Sequence, residues 1–233
     1  MENQTRSNLV KSVKENPEFI AQQLRKPSGK FAEKIGNQMN QFNEVLYNFV
    51  LDLMQLRDEE EVLEIGFGNG KFFDKLYSRA NHLNVKGIDF SEEIVREAKL
   101  NNQKTISNGS LELFLGSSNN LPFDNNSFDK VFCNMVIYFW EQPSKHLQEI
   151  QRVLKPGGKF YAGSRTKEST LRFSFAKYGF IFYEPDEWKL ILEENGFDFL
   201  GKEQKVEPLI NDGKQNIPLE SVCFIGEKKT RAF

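Results

Sequence analysis

The chain is poor in the residues that build metal centres and disulfide frameworks. Its 233 residues include two cysteines and two histidines. Cys133 and Cys223 both sit in strand-like apolar runs, which predicts two buried, reduced thiols. Two cysteines cannot make a four-ligand zinc site alone, and only His82 and His146 are available to add to them. No metal is expected. A run of about 18 apolar residues is also missing, which argues against a membrane-spanning helix. The longest candidate, Val131–Trp140, is interrupted by Asn134. The first 15 residues are polar and charged, with no apolar signal core. The expected location is the cytoplasm, without stable membrane insertion. Charge of one sign is not in excess either. With 31 Lys and Arg against 33 Asp and Glu, the formal net charge is −2. That balance leaves no footprint for a polyanion, so no nucleic-acid partner is expected. What the chain has in abundance is phenylalanine, 22 residues of it. An aromatic pocket for an apolar substrate is one reading. A compositional bias shared with abundant Lys and Asn is the plainer one.

The most informative stretch is Val62-Leu63-Glu64-Ile65-Gly66-Phe67-Gly68-Asn69-Gly70, an apolar strand running into a glycine turn. Glycine tolerates the left-handed torsions of such a turn, and no side chain keeps a ligand off the backbone. Phe72, Phe73, Leu76 and Tyr77 follow at helical spacing. Strand, glycine turn and helix N-terminus together are the nucleotide-binding corner of an open α/β sheet. A dinucleotide fingerprint needs a small residue at position 71, which is Lys71 here. Glu64 just before the turn is unwelcome beside a pyrophosphate and suits a ligand with an ammonium group. A second short strand ends in Asp89, whose ionised carboxylate can accept both hydroxyl protons of a ribose diol.

Strands and helices alternate along the rest of the chain. The expected strands are Val62–Ile65, Val85–Ile88, Leu111–Leu115, Lys130–Asn134, Lys159–Ser164, Phe197–Gln204 and Ser221–Glu227. Helices are expected over Asn43–Leu56, from Ser91, from Pro143 to Leu154, and from Pro185 to near Gly196. The last two strands leave no room for a helix between them, so an antiparallel pair is expected. This alternation predicts a three-layer α/β/α sandwich with a Rossmann-like, seven-stranded, mainly parallel sheet and an antiparallel last strand. Residues 1–42 read as a partly flexible extension or cap, and residues 43–233 as the main domain.

Further motifs come in order: Leu121-Pro122-Phe123, Ser127-Phe128-Asp129-Lys130-Val131 and Leu154-Lys155-Pro156-Gly157-Gly158-Lys159. With the glycine turn and Asp89, they make the stretch Val62–Ser164 resemble the class I S-adenosylmethionine-dependent methyltransferases. The similarity is to the small-molecule, methyltransferase type 11 group that includes quinone-biosynthesis enzymes. The resemblance implies S-adenosylmethionine as cofactor, S-adenosylhomocysteine as product, and transfer to an O, N or C atom of a small, apolar or aromatic acceptor. It implies that Gly66, Gly68, Asn69 and Gly70 pack on the cofactor, and that Glu64 orients the turn or faces the ammonium. Asp89 then takes the ribose, Phe90 lies on the adenine face, and Asn134 meets the methionine end. Ser117 stands where the family usually carries an acidic adenine acceptor, which leaves the backbone amide of Ser118 as the alternative. Tyr138 would hang over the methyl group as the catalytic candidate. Arg25, in the run Arg25-Lys26-Pro27-Ser28-Gly29, would hold the cofactor carboxylate or an acidic substrate. His146 is expected on a helix that packs elsewhere. The aromatic stretch Leu171–Tyr183 would either wall an acceptor pocket or pack as a lid. Two other readings stay open, a catalytically silent cofactor-binding module and an NAD-dependent oxidoreductase. Lys71 weighs against the second.

Overall fold

The structure, a computed structural model, describes residues 16–211 and 216–230. Helix α1 (Pro17–Arg25) starts where the Asn16 side chain accepts the Phe19 amide at 3.1 Å, with Pro17 in the first turn. A single 3-10 turn leads into α2 (Ala32–Met54). The stripe Ile35, Met39, Phe42, Leu46, Phe49 and Leu53 has helical spacing throughout, so the helix starts at Ala32 rather than Asn43. Gly36 interrupts the pattern in sequence but not in space. It is buried, and an added Cβ would lie 3.3 Å from the Asn69 side chain.

β1 (Glu61–Ile65), α3 (Phe73–Tyr77), β2 (Asn84–Asp89), α4 (Glu92–Asn101), a short α5 (Gln103–Ser107) and β3 (Leu111–Leu115) come next. The Ser91 hydroxyl accepts the Ile94 amide at 3.4 Å and starts α4, as expected. β4 (Phe128–Asn134), α6 (Pro143–Val153) and β5 (Leu154–Arg165) complete the next unit. α6 stops at Val153, and Lys155-Pro156-Gly157-Gly158 extends β5 toward its amino end instead of forming a separate turn. Pro156 cannot continue a helix and biases its predecessor toward extended backbone. The chain closes with α7 (Lys167–Thr170), α8 (Pro185–Glu194), β6 (Phe197–Val206), the short pair β7 (Ile210–Asn211) and β8 (Asn216–Ile217), and β9 (Glu220–Lys228).

The sheet has seven strands in the order β3-β2-β1-β4-β5-β9-β6. β1 is parallel to β2 and β4, while β9 runs antiparallel to both β5 and β6. The expected sandwich with its antiparallel last strand is the observed architecture. The β7–β8 pair stands outside this sheet, between the two C-terminal strands in sequence. Alternation along β1 makes the layers: Val62 belongs to the cluster that holds Leu46 and Val50 of α2, and Leu63 to the one that holds Leu147 and Ile150 of α6. A third cluster joins α1 and the start of α2 to the loop after α7, through Ile20, Ile35, Phe42, Phe173 and Phe175. Cys133 and Cys223 are buried, unbridged thiols. No helix of the described residues is long and apolar enough to cross a membrane.

Candidate active site

Strand order reverses between β1 and β4, and ligands of open α/β sheets bind at that point beyond the carboxyl ends of the strands. A cavity of about 470 Å³ lies there. Its floor is the turn after β1. Gly66 has φ +73°, and an added Cβ would sit 2.5 Å from Val136 Cγ2. Gly68 has φ +58°, but its Cβ would meet no protein atom within 4 Å, because that space is the cavity. Asn69 lines the cavity too, with a committed side chain. Its Nδ2 donates to Glu97 at 3.0 Å, and its Oδ1 accepts from Asn40 at 3.0 Å. The turn is thereby stapled to α4 and α2. Gly70 does not line the cavity. It faces α4, where an added Cβ would meet Asn102 Nδ2 at 2.6 Å, so its place is in packing rather than on a ligand.

Two buried carboxyl groups line the cavity. Asp89 ends β2, accepts the Gly68 amide at 3.3 Å and accepts the Ser91 amide at 3.0 Å. Burial raises its pKa to about 6, against the backbone hydrogen bonds that lower it. Glu64 accepts the Tyr47 hydroxyl at 2.9 Å. Burial raises Glu64 to about 8, opposed by that hydrogen bond and reinforced by the nearby Asp89 charge. Asn134, at the end of β4, lines the same cavity, and neither polar atom of its buried amide has a partner. Buried amides without partners are rare and costly. The next residue, Met135, has φ +60°, a strained conformation for a non-glycine residue and one that clusters at functional sites.

At the β3 side, Ser117, Ser118 and Phe90 line the cavity. The Phe90 ring is 41% exposed, with Lys26 Nζ 5.5 Å from its centroid. His146 lines it as well, contrary to the expectation that it packs elsewhere. Its Nδ1 is 2.7 Å from Ser118 Oγ, its ring stacks on Trp140, and burial lowers its pKa to about 4. The signal for it was topological. In a β-α-β unit the first turn of the helix sits at the carboxyl end of the preceding strand, and His146 is in the first turn of α6. Tyr47 left no such signal, because it belongs to the core stripe of α2.

Arg25 lies at the cavity rim, paired with Glu141 at 3.0 Å, and both side chains are exposed. The Arg25–Gly29 run is anchored where the Ser91 hydroxyl donates to the Pro27 carbonyl at 2.6 Å. Tyr138, the catalytic candidate, does not line the main cavity. The 3-10 turn Ile137–Phe139 carries its ring away, against Phe180 at 4.8 Å between centroids. There it lines a small aromatic cavity with Phe42, Phe173 and Phe180, which shares Leu24, Met39 and Met135 with the main cavity. The aromatic stretch after α7 thus forms a wall. Arg165, at the end of β5, closes the small cavity. It is buried in a two-point pair with Glu207 at 2.8 and 3.1 Å, and it donates to the Phe42 carbonyl at 2.6 Å.

A glycine turn, a strand-end carboxylate and an unpartnered amide at the switch point of an open sheet define a ligand-binding α/β protein of the doubly wound kind. A family described as a methyltransferase domain matches residues 63–162, the stretch that builds this site. The candidate methyltransferase YrhH of Bacillus subtilis (strain 168) is 30% identical over 128 residues, which cover 55% of this chain and 70% of YrhH. The demethylmenaquinone methyltransferase of Oceanobacillus iheyensis is 29% identical over 179 residues, 72% of this chain and 75% of that protein. Among solved structures, a chain of the complex between the Haloferax volcanii Trm112 methyltransferase activator and a candidate methyltransferase superposes with a TM-score of 0.73. Identity is 20%, over 87% of this chain and 96% of that one. The chain belongs to the methyltransferase family.

Proposed function

We propose that the protein transfers the methyl group of S-adenosylmethionine to a small, apolar or aromatic acceptor. The observation that carries this reading is the space over Gly68. A backbone amide tied to Asp89 borders a cavity that a single Cβ would enter, and such a cradle suits a ligand held against main chain. The unpartnered Asn134 amide and the two carboxyl groups supply the remaining polar contacts that a nucleoside with an amino-acid tail requires. Lys71 stands where a dinucleotide turn needs a small residue, which disfavours a dinucleotide.

In this reading Asp89 accepts the ribose hydroxyls, Phe90 offers its exposed ring to the adenine, and Gly66, Gly68 and Asn69 shape the floor. Glu64 and Asn134 face the amino-acid end, and Arg25 at the rim serves its carboxylate. The cofactor, when bound, supplies an electrophilic methyl on a sulfonium that leaves as a neutral thioether. The chain's own work is to hold the acceptor in line, which in favourable cases lowers a barrier by about 7–11 kcal/mol. The part of the main cavity beside the aromatic wall, where it shares Leu24, Met39 and Met135 with the small cavity, is the acceptor side, and α1 with the start of α2 covers it as a cap.

The test is thermal unfolding with S-adenosylmethionine, S-adenosylhomocysteine and NADH in parallel. A ligand at about 100 times its Kd adds about 2.7 kcal/mol, a rise of roughly 5–10 °C for a domain of this size. The two sulfur ligands should raise the Tm and NADH should not. A shift with NADH alone, or with none of the three, overturns the reading.

A further inference from the structure

Residues 116–119, Gly-Ser-Ser-Asn, form the cavity wall beside Asp89 and Phe90, because the Gly116 amide donates to the Asp89 carbonyl at 2.9 Å. If Asp89 takes the sugar hydroxyls of a nucleoside, its base meets this wall and the Phe90 ring. The wall carries no carboxylate. An exocyclic amine on the base needs an acceptor there, and a free hydroxyl is a poor discriminator. It rotates, and it donates to a carbonyl as readily as it accepts from an amine.

Ser118 is not a free hydroxyl. Its Oγ lies 2.7 Å from His146 Nδ1, and Ser118 is 6% exposed. The His146 ring is stacked on Trp140 with centroids 4.5 Å apart and planes 5° from parallel, so it cannot swing away without losing that contact. Burial keeps the imidazole neutral at physiological pH, with one ring nitrogen protonated and the other an acceptor. With the proton on Nε2, Nδ1 takes the Ser118 O–H, and the Oγ lone pairs are left for the cavity.

We propose that Ser118 and His146 form a specificity pair for the base, in which His146 Nδ1 fixes the Ser118 hydroxyl as an acceptor for the exocyclic amine of a purine. This rests on the cofactor reading above. His146 is a positioning residue, since it acts through Ser118. The pair rejects a 6-oxo purine, because two acceptors then face each other.

The experiment is titration calorimetry with S-adenosylhomocysteine and S-inosylhomocysteine, which differ along one edge of the base: a 6-amino group beside an acceptor N1 against a 6-oxo group beside N1–H. Neither probe turns over. Wild-type protein should prefer the adenosyl compound by about tenfold, the size of one good hydrogen bond. His146→Phe keeps an aromatic ring on Trp140 but frees the hydroxyl to donate, so the inosyl compound should gain and the preference should largely vanish. Ser118→Ala should erase the same preference, and the double variant should do no more than either single one. Adenosyl preference unchanged in both single variants overturns the inference while the cofactor reading stands. So does equal binding of the two probes by wild-type protein. Binding of neither probe by wild-type protein overturns the cofactor reading and this inference with it.

Discussion

The Tyr47 hydroxyl donates to Glu64 Oε2 across 2.9 Å, joining the middle of α2 to the strand that leads into the glycine turn. Both groups are buried. The bond ties α2 to the floor of the cavity and lowers the pKa of a carboxyl group that burial has raised.

Tyr47→Phe removes that donor and leaves a buried carboxyl group short of a partner. The expected cost is about 1–3 kcal/mol of stability. Urea unfolding at neutral pH measures it, and an unchanged midpoint would remove the bond from the account of how α2 is held.

Glu64 sets a pH dependence. In the folded chain burial raises Glu64 to about 8 and Asp89 to about 6, whereas both ionise near 4 when unfolded. The folded state keeps protons that the unfolded chain has lost. Their contribution to stability is therefore complete below about pH 4 and lost as pH rises through the folded values. His146 acts in the opposite sense between about pH 4 and 6.5, because its folded pKa is lowered to about 4. Above that window Glu64 is the one of the three still titrating. The stability of the ligand-free protein should fall from about pH 6.5 to 8, and Glu64→Gln should flatten that fall. Equal slopes in urea midpoints across this range would contradict the assignment.

Two neighbouring glycines should fail in different ways. Gly66→Ala drives a Cβ to 2.5 Å from the branched Val136 side chain and should lower the Tm sharply. Gly68→Ala meets no protein atom and should cost only the backbone strain, about 1–2 kcal/mol. Its methyl stands in the cavity, so it should lose S-adenosylhomocysteine affinity out of proportion to its stability. Calorimetry beside a thermal melt separates the two effects. Intact affinity in Gly68→Ala would remove the cradle from the binding site.

Asp89→Ala should weaken S-adenosylhomocysteine binding by about tenfold or more, the size of a charge-assisted hydrogen bond, while circular dichroism shows a folded protein. Unchanged affinity would rule out the ribose role.

Arg165→Met leaves Glu207 buried without its cation. Breaking a buried pair from one side costs about 3–5 kcal/mol. Adding Glu207→Gln should recover part of that loss. A double variant less stable than the single one would show that Glu207 is held by other groups.

Most of the sheet and the glycine turn were legible because their signals are contiguous. A strand, three glycines and a strand-end carboxylate lie in order along the chain, and the backbone does the work at each position. Residues supplied from helix faces were not legible. Tyr47 looks like any core position of α2, and His146 reaches the cavity only because α6 starts above β4. Four residues of spacing from Asn134 do not reveal the 3-10 turn that sets the direction of the Tyr138 ring. The start of α2 was hidden by Gly36, whose reason is tertiary: Asn69 packs over it. The β7–β8 pair has two residues per strand, too few for any period to show.

α2 also decides how separable the parts of this protein are. Residues 42 and 43 are consecutive positions on one unbroken helix of 23 residues, with Ile35 in the cluster shared with α1 and Leu46 in the core against the sheet. The N-terminal segment is therefore not a module that can be trimmed, swapped or grafted at that point. A cut there would leave a raw helix end above the cavity, with four amide groups needing new partners. Any exchange of the N-terminal segment between relatives would have to carry the whole helix, Tyr47 included.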